Sequence, residues 1–169
     1  MNPMTIATVN ALDRADFVAQ FGAVYEHSPW VAEEAGDARP FESRAALEQA
    51  MRDILLAASR ERQLALLRAH PRLGTRLELT EYSRSEQSGA GIASANEGDR
   101  ETLARLNRVY EDKFGFPFIL AVRGATVPVI LESCRTRLGH DAAAEFQEAL
   151  RQVLRIAHFR LAGLVHEGD

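Results

Sequence analysis

The chain has 169 residues, a formal net charge of −4 and a hydrophobic fraction of 46%, which suits one globular domain over residues 1–169 with an apolar core. Its acidic balance argues against nucleic-acid binding, the lack of a long apolar run argues against a membrane span, and a single cysteine excludes an internal disulfide. We therefore expect a cytoplasmic protein that has neither nucleic acid nor a membrane as a partner.

The helical spacing of apolar residues predicts a succession of helices in the first half of the chain. Side chains that accept hydrogen bonds from free backbone N–H groups mark where these helices start. Pro71 ends the last of them, because the residue before a proline is pushed out of the α region. His70 is therefore expected at a helix end or just outside it. The predicted starts are Asp13, Ser28 with Pro29, Ser43 and Ser59.

The second half is predicted to open with a loop over residues 72–82 and a helix from about Ser83. We expect Glu97-Gly98-Asp99 to separate that helix from the next one. The next helix is predicted to run to Phe114 and to stop at Gly115, a residue that suits the left-handed turn after a helix.

The apolar run 116–122 contains a proline and is too short for a helix, so we predict that it is extended and buried. Two helices, over residues 127–138 and 141–165, close the chain. Nothing else alternates as a strand would. The sequence therefore predicts an all-α, single-domain helical bundle of about seven to nine helices.

His70 is the first candidate for acid–base chemistry. An imidazole titrates near neutrality, so this side chain can donate or accept a proton in the working pH range. General acid–base catalysis of this kind contributes roughly 10²–10⁴-fold to a rate. A structural role is the alternative, because the helix dipole also favours a histidine at a helix C-terminus.

Ser83, Glu86 and Gln87 form the second candidate group. The spacing Ser83-x-x-Glu86 fits a capping box, in which each side chain satisfies the backbone N–H of the other residue. That structural role does not explain Gln87. At a helix N-terminus, Glu86 and Gln87 can instead present an acceptor and a two-way amide to one ligand, and the free N–H groups there favour an anionic substrate. The residues alone leave both roles open.

Arg160 is the third candidate, because it falls on the apolar stripe of the last predicted helix. A buried guanidinium is costly unless it is paired, and its planar fork suits a carboxylate or a ureide. The alternative is an arginine whose stem covers the edge of the core while its head reaches water. The other members of the stripe are Leu150, Val153, Ala157 and Leu164.

A metal site is not expected. His27, His70 and Glu86 lack the spacing of zinc ligands. Cys134 lies in an apolar stretch and is expected to be a buried structural thiol rather than a nucleophile.

Short motifs follow one another in order along nearly the whole chain, from Phe17 to Leu164. Each motif alone is weak, but the ordered set resembles the 2-oxo-4-hydroxy-4-carboxy-5-ureidoimidazoline (OHCU) decarboxylase family. The motifs are Phe21-Gly22, Tyr25-Glu26-His27-Ser28-Pro29-Trp30, Ala69-His70-Pro71-Arg72-Leu73-Gly74, Leu79-Thr80, Ser83-x-x-Glu86-Gln87, Ala90-Gly91, Leu106-Asn107-x-x-Tyr110, Lys113-Phe114-Gly115-Phe116-Pro117-Phe118-Ile119, Val122-Arg123-Gly124 and Ile156-Ala157-x-x-Arg160-Leu161.

The resemblance implies an all-helical carboxy-lyase, commonly a homodimer, that converts its small ureidoimidazoline substrate to (S)-allantoin in the last step of urate degradation. No cofactor is implied, because the imine of the substrate ring can accept the electrons released with CO₂. The resemblance makes His70 the catalytic acid/base, and we expect Glu86 to share the proton transfers. The substrate-binding residues that it implies are Pro71, Ser83, Glu86, Gln87, Phe118, Ile119, Leu120, Ala121, Val122 and Arg160.

Two positions depart from the family pattern. His140 stands where the family usually has Asn, and Ser88 replaces a customary Ala beside Gln87. Two other functions compete with the decarboxylase. One is a non-enzymatic helical module that binds a ligand or a partner, which the presence of His70 and Glu86 disfavours. The other is a hydrolase of a related ureide, which the sequence separates poorly from a decarboxylase.

Overall fold

The structure is a computed structural model, and it describes residues 2–74, 81–92 and 95–167. Within these ranges the chain forms nine α-helices and no β-strand, apart from one isolated bridge between Met4 and Val165. The all-α prediction is therefore confirmed. The helices are α1 Ile6–Ala11, α2 Arg14–Phe21, α3 Trp30–Gly36, α4 Arg44–Ala57, α5 Arg60–Ala69, α6 Glu81–Gly89, α7 Glu97–Phe114, α8 Val127–Leu138 and α9 Ala142–Leu164.

Most of the predicted helix starts are confirmed by capping hydrogen bonds. The side chains of Asp13, Ser43 and Ser59 accept from backbone N–H groups three residues further on. Helix α7 ends as predicted at Gly115, whose φ of 80° is left-handed. The sequence analysis missed α1, because six residues are too few to show a helical period, although Thr5 caps it.

Two expectations about helix starts were wrong. Ser28 does not cap α3: its hydroxyl donates to the carbonyl of Glu26, and Pro29 occupies the cap position without a side-chain bond. Residues 97–99 do not separate two helices but form the first turn of α7, because the Asn96 side chain accepts from the N–H of Asp99. Acidic residues in that first turn also suit the helix dipole.

The chain divides into two compact units. One unit comprises Met1–Ala69 with Leu154–Asp169, and the other comprises His70–Val153. That both belong to a single domain stays a prediction. Helix α9 contributes its first half to the second unit and its last half to the first. None of the helices in the described ranges is both long and apolar enough to cross a bilayer.

The first unit has its own apolar core and joins the two ends of the chain. Phe17 and Phe21 are fully buried, with their ring centroids 4.8 Å apart. The N–H of Met4 donates to the carbonyl of Leu164 at 2.8 Å, and the N–H of His166 donates back to Met4 at 2.8 Å. The last turn of α9 is thereby tied to the segment that leads into α1.

The second unit is built around aromatic side chains from α7 and the run that follows it. Tyr110 is fully buried and lies edge-on to Phe116 and Phe118, at centroid distances of 5.9 and 5.3 Å. Cys134 is also fully buried here, and burial raises the pKa of its thiol to about 11. The thiol is therefore protonated at neutral pH, which agrees with the structural role expected for it.

Candidate active site

His70 lies directly after the last residue of α5, where the sequence placed it. Helix α5 ends at Ala69, and Pro71 prevents its continuation. The side chain of His70 is buried, with 7% of the residue exposed. An imidazole in such a place is shielded from bulk water and is held by a chain bend rather than by a flexible loop.

The loop after His70 is fastened to two helices of the second unit. The N–H of Gly74 donates to Oε1 of Gln87 at 3.1 Å, and Nδ2 of Asn107 donates to the carbonyl of Leu73 at 2.8 Å. Gly74 has a φ of 83°, and a Cβ there would lie 3.1 Å from a methyl of Leu103. These contacts fix the path of the chain immediately after the candidate catalytic residue.

Gln87 thus has a structural role that was not predicted from the sequence. Its oxygen is committed to the loop, so its amide nitrogen is the part of the side chain that a ligand could use. Asn107 was also missed as a contributor, although it stands in the motif Leu106-Asn107-x-x-Tyr110. Its position on the apolar face of the predicted helix is the sequence signal that could have identified it. An amide buried there, 2% exposed in the structure, needs a hydrogen-bond partner.

Ser83, Glu86 and Gln87 lie on one face of α6. The helix starts at Glu81, two residues before the predicted start, so Ser83 lies inside the helix and not at its cap. The capping-box explanation for Ser83 and Glu86 is therefore wrong. Positions separated by three and four residues share a helix face. Ser83 and Gln87 are buried and Glu86 is half-buried, so this face points into the protein.

The run from Phe118 to Val122 is largely buried, as predicted, and three of its backbone groups are held by the protein. Nη1 of Arg137 donates to the carbonyl of Ile119 at 2.5 Å. Oε1 of Gln152 accepts from the N–H of Ala121 at 3.0 Å, and the carbonyl of Val122 accepts from the N–H of Ala125 at 2.9 Å. This segment is therefore fixed by α8 and α9 rather than by a strand partner.

A buried ionic cluster stands behind that segment. Arg137 donates from Nε and Nη2 to the carboxylate of Glu145, at distances of 2.9 to 3.1 Å. The hydroxyl of Tyr110 donates to the same carboxylate, and Nδ1 of His140 lies 3.2 Å from it. Arg137 is 6% exposed and Glu145 is fully buried. The sequence analysis noted His140 only as a departure and missed the cluster.

Electrostatics within this cluster favour the charged forms of the ion pair. Burial alone would raise the pKa of Glu145, but hydrogen bonds from Arg137 and Tyr110 outweigh it and hold that pKa below its usual value. Burial alone would lower the pKa of Arg137, and the bond to Glu145 reverses that effect, so its pKa is raised. Burial and the bond to Glu145 raise the pKa of Tyr110, which keeps the phenol protonated.

Arg160 lies in the first unit, on the part of α9 that follows Leu154. It is 4% exposed, so the alternative of a head that reaches water is wrong. Nη1 of Arg160 lies 2.8 Å from Oε2 of Glu26, which is fully buried, and donates to the carbonyls of Ala23 and Val24 at 3.2 Å. The guanidinium is thus held in place by a counter-charge and by two backbone groups.

Glu26 is a site residue that sequence reasoning missed. It stands in the motif Tyr25-Glu26-His27-Ser28-Pro29-Trp30, which by itself indicates no role for its carboxylate. A buried arginine requires an anion, so the alternative in which Arg160 is buried already called for an acidic partner. Among residues 2–74, 81–92 and 95–167, no three His, Cys, Asp or Glu side chains come together as metal ligands would.

Comparison with known proteins gives one consistent family. The OHCU decarboxylase family matches residues 10–162. A 2-oxo-4-hydroxy-4-carboxy-5-ureidoimidazoline decarboxylase of Haloferax volcanii is 46% identical over 162 residues, which are 96% of this chain and 96% of that protein. A uric acid degradation bifunctional protein of Bacillus subtilis is 41% identical over 163 residues, but the match covers only 33% of its length.

A solved structure described as (S)-allantoin synthase superposes with a TM-score of 0.79 and 32% identity. The match covers 96% of this chain and 54% of that one, so the chain spans about half the length of that structure. The family match extends over His70, the α6 face, the segment before Val122 and Arg160 alike. This chain therefore belongs to the OHCU decarboxylase family.

Proposed function

We propose that this protein is a carboxy-lyase that decarboxylates 2-oxo-4-hydroxy-4-carboxy-5-ureidoimidazoline to (S)-allantoin, the final step of urate degradation. The observation that carries the proposal is the 46% identity to a decarboxylase of that name over 96% of both chains. The burial of His70, Ser83, Gln87 and Arg160 supports it, because polar side chains kept away from water are typical of a binding site.

The reaction needs no electron sink beyond the substrate itself. The bond to the carboxylate breaks and CO₂ leaves, while its electron pair forms a carbon–carbon double bond as the ring imine takes up electrons. The imine nitrogen, which has gained the displaced electron pair, takes up a proton to become a ring N–H. The neighbouring hydroxyl then loses its proton and becomes a carbonyl. The ureido-bearing carbon gains a proton on one face. The protein therefore has to orient the ring and control two proton transfers, and the proposal includes no cofactor and no metal.

We assign the two proton transfers to His70 and Glu86. His70 can accept or donate a proton near neutrality, and its position between the end of α5 and the anchored loop limits its movement. Glu86 lies on the inward face of α6, beside the residue that anchors the loop. A fixed geometry matters because the face that receives the proton decides the handedness of the product.

We assign substrate binding to Pro71, the α6 face, the backbone of 118–122 and Arg160. The planar guanidinium of Arg160 suits the carboxylate or the ureido group. Ser83 and the amide nitrogen of Gln87 supply short-range hydrogen bonds to polar ring atoms.

The test mixes purified protein with freshly generated substrate and follows both CO₂ release and substrate disappearance. We expect CO₂ release well above the spontaneous rate. A hydrolase of a related ureide would consume the substrate without faster CO₂ release, and a non-enzymatic binding module would change neither rate. Either of these two results would reject the proposal.

We further propose that the protein acts as a homodimer, as the family resemblance implies, and that it is located in the cytoplasm. Sedimentation equilibrium measures the assembly directly, and a mass of one chain, 18.7 kDa, across the working concentration range would refute the dimer. Fractionation of the host cells tests the location.

A further inference from the structure

We propose that Arg137, Glu145, Tyr110 and Gln152 are positioning residues that hold one edge of the segment 118–122 so that its other edge faces the substrate. This inference rests on the proposed function, which assigns substrate contacts to that segment. None of these four side chains is among the candidate site residues. They act through the backbone that they hold.

Two of the anchored backbone groups belong to alternate residues of the segment. Arg137 binds the carbonyl of Ile119, and Gln152 binds the N–H of Ala121, two residues further on. In an extended chain, the backbone groups of residues i and i+2 point to the same side and those of residue i+1 point to the other. Residues 117–122 lie outside every helix and turn, and the two anchors on alternate residues therefore hold one edge of the segment.

The opposite edge belongs to Leu120. Within the described ranges, no hydrogen bond engages the N–H or the carbonyl of Leu120, which is a half-buried residue. A donor and an acceptor at this spacing match the N–H and carbonyl groups of a ureide. The geometry therefore assigns the backbone of Leu120 as the ligand-binding part of the segment.

The Arg137 side chain that holds the segment is itself held firmly. Arg137 is held by the carboxylate of Glu145 through Nε and Nη2, which leaves Nη1 aimed at Ile119. The guanidinium also lies over the ring of Phe118, with Cζ 4.6 Å from the ring centroid. One side chain thus fixes both a side chain and a carbonyl of the same segment.

The carboxylate of Glu145 is in turn fixed from several directions. Tyr110 from α7 and His140 from the turn between α8 and α9 both contact it, in addition to Arg137. Gln152 is restrained as well, because its Nε2 donates to Glu148 at 2.9 Å. A buried network in which every member has partners is rigid, and a shift of about 1 Å in a substrate-contacting group can cost about 10²-fold in rate.

The test compares three variants of the cluster with a control in the other unit. Glu145→Gln and Arg137→Lys disturb the bidentate pair, and Tyr110→Phe removes only the hydroxyl donor while it keeps the ring contacts. The control is Leu47→Ala, which removes a fully buried side chain of α4 and so destabilises the protein without touching the cluster. Each variant is examined by steady-state kinetics and by amide hydrogen exchange.

We expect the cluster variants to lower kcat/KM by about tenfold to a hundredfold, through a rise of KM from the weakened backbone contact and a fall of kcat from the misplaced substrate. We also expect faster amide exchange over residues 118–122. Leu47→Ala should lower the melting temperature and leave KM and the exchange of that segment near wild type. If Glu145→Gln fails to fold, Tyr110→Phe gives the same comparison.

An unchanged exchange rate over 118–122 in folded cluster variants would overturn the inference. An equal rise of KM in Leu47→Ala would also overturn it, because the effect would then follow stability alone. The exchange measurement does not depend on turnover. A wild-type protein that releases no CO₂ would therefore refute the proposed function, while the exchange data would still decide whether the cluster holds the segment.

Discussion

Two buried ion pairs show how single residues build this protein. Arg160 pairs with Glu26, and Arg137 pairs with Glu145, with little or no exposure of any of the four residues. Taking such charges out of water is costly, and removal of one partner leaves the other without compensation. Sequence patterns made a buried Arg160 one of two alternatives, because this residue interrupts an apolar stripe. They could not predict its partner, since Glu26 is more than 130 residues away in the chain.

Glu26→Gln should destabilise the protein by about 3–5 kcal/mol, because it removes the buried carboxylate that lies 2.8 Å from Nη1 of the buried guanidinium of Arg160. Urea unfolding measures the loss. The matched control is Glu34→Gln, which breaks the exposed pair with Arg62 in the same unit and should cost at most about 1 kcal/mol. An equal fall in the free energy of unfolding in the two variants would show that the buried pair contributes no more to stability than the exposed one.

The low pKa of Glu145 predicts a specific acid sensitivity. A carboxyl group whose pKa is depressed in the folded state stabilises the protein at pH values above its unfolded-state pKa, near 4.3. This stabilisation is lost as the pH falls through the folded-state pKa. The melting temperature of wild type should therefore exceed that of Glu145→Gln most at pH 6, and the difference should narrow as the pH falls below about 4. Thermal melts from pH 6 to pH 3 test this. A difference that stays constant with pH would contradict it.

At the scale of elements, helix starts were predicted correctly where a side chain caps the helix. Asp13, Ser43 and Ser59 are simple caps, and the helices after them start where predicted. The motif Ser83-x-x-Glu86 looks like a capping box, yet α6 starts earlier and turns both residues toward the interior. The motif alone therefore cannot show whether these side chains cap the helix or face the interior, because that depends on how the helix is packed.

The segment from His70 to Gly74, which follows α5, carries a prediction of its own. Gly74→Ala should destabilise the protein by about 1–2 kcal/mol and lower activity, because φ is 83° and the new Cβ would meet Leu103 at 3.1 Å. Denaturant unfolding and the rate of CO₂ release measure both effects. The control is Gly89→Ala in α6, where a Cβ would meet nothing within 4 Å. Unchanged stability and activity in Gly74→Ala would show that the chain after His70 tolerates another path.

At the scale of the whole molecule, composition and helical period were sufficient to predict an all-α chain, and the ordered motifs were sufficient to identify the family. The contacts that support the candidate site could not be predicted in the same way. Asn107, Arg137 and Glu145 act through hydrogen bonds across 8 to 34 positions of sequence, which no local period reveals. Such contacts exist only once the helices are packed.

The central claim is that the protein makes one enantiomer of allantoin and that His70 controls the protonation. Circular dichroism of the product, formed from freshly generated substrate by wild type and by His70→Gln, tests both parts together. With wild type we expect a growing circular dichroism signal of (S)-allantoin. With the variant we expect little or no signal, because the product is largely racemic, as in the protein-free reaction. A racemic product with wild type, or full (S) signal at the wild-type rate with His70→Gln, would contradict the account.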